Sequence, residues 1–146
     1  LALTTGTMAF KWWPRAKAPG LFNVLIWGFA WAPFGCLLDA LALAGLIPAR
    51  ASVHAMTLGF ACSLLIAMVT RVTHGHSGRP LEMSKAAWLA FGSVQLATFA
   101  RLGAAFQMEA GHGLVAAVGL FVIGTLPWTL RHAAIYLRPR IDGKSG

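Results

Sequence analysis

Four stretches of this chain, residues 21–47, 51–73, 86–106 and 113–130, are nearly unbroken runs of apolar side chains. Each is long enough to cross a bilayer, which takes about 20 residues of α-helix. A backbone in hydrocarbon must satisfy its own hydrogen bonds, so runs of this length take helical form. With 58% hydrophobic and only 11% charged residues, a soluble domain of this size has too little charge to cover four such helices. The expected fold is therefore all-α, a polytopic transmembrane bundle of four helices. Residues 1–20 read as the end of a preceding helix or a lead-in, 21–131 as the bundle and 132–146 as a basic tail.

Orientation follows from the basic residues, which gather on the cytoplasmic side of membrane proteins. Lys11, Arg15 and Lys17 precede the first run, Arg71, Arg79 and Lys85 join the second to the third, and Arg131, Arg138, Arg140 and Lys144 follow the fourth. The other side holds Arg50, with Glu109 in its second loop and Arg101 inside the third run. Both termini are thus expected in the cytoplasm. The net charge of +8 is accounted for by this topology and by anionic lipid head groups, without a nucleic-acid partner. The charges of Lys11 and Arg15 follow the apolar N-terminal segment rather than precede it, which is not signal-peptide order. The chain reads as a piece of a longer polytopic protein, so its expected partners are membrane lipids and further transmembrane helices of the same or another chain. Cys36 and Cys62, at mid-membrane depth in adjacent runs, read as small packing residues. Trp12, Trp13, Trp88 and Trp128 fall near the predicted interfaces, as belt anchors do.

The second run carries Ala55, Gly59, Ser63 and Ala67, small residues every fourth position that let another helix approach closely. His54 flanks this ladder at the non-cytoplasmic start, and His76 lies just past the cytoplasmic end. The two are about 33 Å apart along a helix rising 1.5 Å per residue, so they cannot share one metal. Antiparallel alternation puts Asp39, Arg101 and His54 in one half of the bilayer. There Asp39 and Arg101 can neutralise each other, since a lone charge is costly. Alternatively His54 binds haem iron while Arg101 or Arg50 meets a propionate. His112, in the second outer loop, reads more simply as a solvated side chain.

The densest polar segment is residues 71–80, with two histidines, two arginines and two glycines at the end of an apolar run. His74 and His76 could offer imidazoles to copper or zinc. Gly75, Gly78, Arg71 and Arg79 also suit an anion nest for phosphate or propionate, and a basic turn that fixes topology is the plainest reading. No nucleophile and base pair and no carboxylate dyad stands out, so no catalytic residue is singled out.

Three segments in order carry a resemblance: His54, Ala55, Met56, Thr57, Leu58, Gly59; then Arg71, Thr73, Gly75, His76, Ser77, Gly78, Arg79; then the tail 138–144. Together they resemble the NnrS family, polytopic bacterial membrane proteins of which this chain matches the C-terminal part. The resemblance implies an inner-membrane protein containing haem b and copper, tied to nitric oxide metabolism and relief of nitrosative stress. It carries over His54 and His76 as ligand candidates, with Arg71 and Arg79 in support. His74 is a metal candidate from spacing alone, and Arg101 a cofactor-binding one. A rival reading is a non-enzymatic structural or assembly subunit of a larger membrane complex. A transporter core, with Asp39 and Arg101 lining a pathway, lacks the paired interrupted helices that such folds use.

Overall fold

A computed structural model describes residues 1–13, 19–107 and 111–143. Arg15, Lys17, Glu109 and Lys144, used above to orient the chain, lie outside these residues. The described residues form helices and connecting turns, with no strand among them. The helices are α1 (Ala2–Lys11), α2 (Gly20–Leu43), α3 (Ala49–His76), α4 (Lys85–Ala105) and α5 (Gly111–Tyr136).

By length and composition, α2, α3 and α5 can each cross a membrane. These three apolar helices make the chain an all-α membrane protein. α4 falls short of the same measure because Lys85, Ser93, Gln95, Thr98 and Arg101 interrupt its apolar sequence. Its polarity has a place to go. Ser93 and Thr98 are buried, and Gln95 accepts from Trp31 Nε1 of α2 at 2.7 Å while donating to Ser63 Oγ of α3 at 2.7 Å. One amide therefore ties three helices together.

Each helix packs on its neighbour in sequence, with α3 and α4 in the middle and α4 lying along α5. Two apolar clusters form the core. Ile66, Ala87, Ala90, Val94 and Trp128 join α3, α4 and α5, and Trp31, Leu38 and Ala55 join α2 to α3. Outward faces stay apolar and uncovered, as at Val115 and Ile123, each 72% exposed. That is the surface a lipid-facing helix presents.

The four-residue ladder of α3 is buried throughout. It meets glycines coming the other way. A Cβ on Gly28 would lie 2.8 Å from that of Ser63, one on Gly35 would strike Met56, and one on Gly59 would enter the Trp31 ring. Small residues on both sides thus let α2 and α3 approach closely. A strict four-residue repeat would drift about 40° per step around an α-helix of 3.6 residues per turn. Residues Ala55–Cys62 are wound as a π-helix, whose wider turns drift the opposite way. The ladder consequently stays on one face.

Two sequence expectations change here. Helix α3 runs through His76, so the H-x-H pair lies in its last turns, not in a loop beyond them. Trp128 is 7% exposed and donates from Nε1 to Thr70 Oγ1 at 2.9 Å, so it is a core side chain and not an interface anchor. Trp12, Trp13 and Trp88 are exposed.

Candidate functional site

At the start of the π segment, Arg101 Nη2 of α4 lies 2.8 Å from His54 Nε2. A guanidinium can only donate, so Nε2 is the acceptor and neutral His54 carries its proton on Nδ1. Asp39 accepts from Ser52 Oγ at 3.1 Å, and Arg50 Nε donates to the Ala105 carbonyl at 2.9 Å. The expected ion pair between Asp39 and Arg101 is thus replaced by two separate contacts. His54 and Arg101 share a cleft of about 330 Å³ with Thr57, Leu114 and Phe121. His112 is exposed at the start of α5.

The other end of α3 is built by its C-terminal cap. Gly78 adopts φ +72°, a conformation that favours glycine. The Gly78 N–H bonds to the Gly75 carbonyl at 3.4 Å and the Arg79 N–H to the His74 carbonyl at 2.9 Å. This is the Schellman pattern, and Pro80 follows where the helix cannot continue. The chain then folds back so that the Pro80 carbonyl accepts from His74 Nδ1 at 2.9 Å. The segment 71–80 is therefore a helix stop that also fixes an imidazole.

Residues two apart on a helix do not face the same way, and the H-x-H pair obeys this. His74 is 5% exposed whereas His76 is open to the surroundings. What His74 meets instead is His132 of α5. Their rings are stacked, with centroids 5.9 Å apart and planes within 6°. His132 Nδ1 lies 2.7 Å from the Trp128 carbonyl and its ring packs on that indole at 4.8 Å. Thr73 Oγ1 donates to the Tyr136 hydroxyl at 3.0 Å, holding α3 against α5 beside the pair.

A carbonyl only accepts, so both Nδ1 atoms carry the proton. In the neutral rings each Nε2 is then a bare lone pair. Both Nε2 atoms are buried without a hydrogen-bond partner, as is Arg79 Nη1. Buried polar atoms are rarely left in this state, and an Nδ1–H held by a backbone carbonyl is how metal-binding histidines are oriented. Among the described residues no three His, Cys, Asp or Glu side chains gather as a metal cluster. Two adjacent imidazoles form the densest set of nitrogen donors, and Met83 lines the adjoining cleft of about 360 Å³ beside His74, Arg79, Glu82 and Arg131.

Arg71 is exposed on α3, and Arg79, half-buried, lines the cleft. Arg140 pairs with Asp142 at 2.9 and 2.6 Å, and these bonds push its guanidinium further above the ordinary value. His132 was missed by sequence reasoning because it follows the fourth apolar run and opens the basic tail, and Arg131 was read only as a basic residue that marks topology. The available signal was the four-residue step from Trp128 to His132, which places both on one helical face.

No curated protein and no solved structure matches the chain. The family model described as NnrS protein matches residues 1–140, a span that takes in His54, the 71–80 segment and His132. The chain belongs to the NnrS family.

Proposed function

We propose that this chain is a haem- and copper-binding part of a bacterial inner-membrane protein that handles nitric oxide and serves the response to nitrosative stress. In this reading all four long helices cross the membrane and both termini are cytoplasmic. α4 is carried across by burying its polar residues against α2, α3 and α5. The observation that carries the reading is the stacked His74 and His132 pair, whose Nε2 atoms are both buried without a partner, in a chain of this family.

Imidazole and thioether donors suit copper, thioether especially Cu(I), so His74, His132 and Met83 are the residues that would hold it. At the opposite end His54 suits haem iron only once Arg101 releases its Nε2. A freed Arg101 is then a guanidinium partner for a propionate, with Arg50 nearby in the same half. When bound, haem iron supplies a binding position for nitric oxide and copper a one-electron couple. The chain's own residues orient the imidazoles through the Pro80 and Trp128 carbonyls and keep water from the pair by burial. Nitric oxide, small and apolar, reaches such a site through the bilayer without a polar channel. His76 is a further donor only for a ligand approaching from outside the bundle.

The test is metal analysis with an optical spectrum on the membrane-purified protein, oxidised and reduced, before and after nitric oxide. Stoichiometric copper that drops at least about tenfold in affinity on His132→Ala, and a Soret band that is lost on His54→Ala, support the reading. A colourless, metal-free preparation refutes it. That result would favour the assembly-subunit reading, which the uncovered apolar faces of α4 and α5 support.

A further inference from the structure

Next to the imidazole pair, the end of α5 forms a second cleft of about 180 Å³, lined by Arg79, Arg131, Ala134, Ile135 and Arg138. Three arginines line one small space with no carboxylate in its lining. Unscreened like charges repel, the more so where water is partly excluded. Something with negative charge is therefore missing from the balance.

Among the described residues no ion pair supplies it, although Glu82 lines the adjoining cleft with Arg79 and Arg131. The ion pair found among the described residues joins Arg140 to Asp142, and Asp142, packed against Gly78, is engaged by both Arg140 nitrogens. Arg79 Nη1 is buried without a partner. An unsatisfied buried donor is costly, more so when charged. Nor can Arg79 easily turn away, because the Schellman cap fixes its backbone and Pro80 follows it directly. The tail is fastened to the same turn by the bond from the Ile141 N–H to the Ser77 carbonyl at 3.3 Å. The backbone that carries Arg79 and the tail that follows Arg138 are thus fastened to one turn before any ligand arrives.

We propose that Arg79, Arg131 and Arg138 form a binding site for a phosphate group at the membrane edge, either the head group of an anionic phospholipid or free phosphate. Guanidinium forks match phosphate oxygens in pairs, and a phosphate offers enough acceptor oxygens to meet three arginines at once. The cleft is far smaller than a tetrapyrrole needs. Ala134 and Ile135 give it an apolar flank continuous with the helix surface, where a lipid's glycerol and acyl carbons would lie. The site uses neither imidazole, so it stands or falls apart from the metal reading.

The experiment uses the whole protein in nanodiscs of phosphatidylcholine with or without phosphatidylglycerol, released for native mass spectrometry, with inorganic phosphate titrated separately by calorimetry. Wild type is compared with Arg131→Gln/Arg138→Gln, with Arg79→Gln, and with Arg71→Gln, an exposed arginine at the same end that does not line the cleft. Circular dichroism establishes that each variant folds. If Arg79→Gln does not fold, the double variant decides alone. Retention of phosphatidylglycerol that falls about tenfold in the cleft variants and not in Arg71→Gln assigns a lipid head group. Saturable phosphate binding with the same mutational pattern and no lipid preference assigns free phosphate. Equal loss in Arg71→Gln, or no loss in the cleft variants, overturns the proposal.

Discussion

Replacing Gly59 with alanine should destabilise the bundle, although the same change at the uncrowded helical position Gly92 should not. A helical Gly→Ala substitution ordinarily gains roughly 0.5–1 kcal/mol from reduced backbone freedom. At Gly59 the added methyl would enter the Trp31 ring, which borders a cleft of about 390 Å³ but can move into it only by giving up its present contacts. Its Nε1 is bonded to Gln95 at 2.7 Å, and its faces meet Phe34 at 5.6 Å and Phe99 at 5.3 Å. Overpacking of this kind costs roughly 1–3 kcal/mol. If Trp31 yields instead, its bond to Gln95 is lost, worth about 0.6 kcal/mol and up to about 1.7 between membrane helices. Set against the backbone gain, the net expectation is a loss of up to about 2.5 kcal/mol. Gly92 in α4 has nothing within 4 Å of an added Cβ, so Gly92→Ala should be neutral or gain up to about 1 kcal/mol. Both variants would be unfolded in detergent by graded denaturant, following tryptophan fluorescence. If Gly59→Ala proves as stable as Gly92→Ala, the close approach of α2 and α3 through the ladder is not what holds them together.

Other substitutions test single contacts. Trp128→Phe keeps one aromatic ring but removes the other from the core and leaves Thr70 without its donor, so it should cost at least the hydrogen bond's share of about 0.5–1.5 kcal/mol, readable in the same unfolding assay. Gly78→Ala forces a Cβ into a positive-φ position and against Asp142, with contacts of 2.8 to 3.2 Å, and should cost about 1–2 kcal/mol. Proteolysis of the tail should then quicken, and an unchanged rate would show that the cap does not hold it. Bound copper should leave His74→Ala and His132→Ala alike but stay with His76→Ala, as measured by elemental analysis. Equal loss in all three would place the metal at the exposed H-x-H pair instead.

What the sequence revealed and what it hid follow from one physical distinction. Length and apolarity mark where a helix runs, and the glycines and proline of 75–80 mark a turn near the end of α3, although the helix continues past Thr73 through His76. These features were readable because each is local. The facing of a helix is readable only when its polar residues form a stripe, and α2 and α5 are apolar nearly all round. Whether Arg101 meets Asp39 or His54 depends on the rotation of α4 about its axis, which no periodicity disclosed. The same gap concealed the partnership of His74 with His132, 58 positions away along the chain by their numbers. Placing the 71–80 segment in a loop also hid the fact that His74 and His76 diverge, since only a helix imposes that divergence.

The π-wound stretch lies between the two histidine levels of α3, and this gives the helix a built-in phase offset. One residue is 100° of rotation in an α-helix. Rewinding a wide turn to ordinary pitch would turn His54 about the helix axis relative to His74, with the capped end as the fixed reference. The contact between His54 and Arg101 is thus geared to the winding of eight residues, while the imidazole pair at the other end is indifferent to it. A change in the screw of this one segment would free the His54 Nε2 without disturbing a side chain at the opposite end.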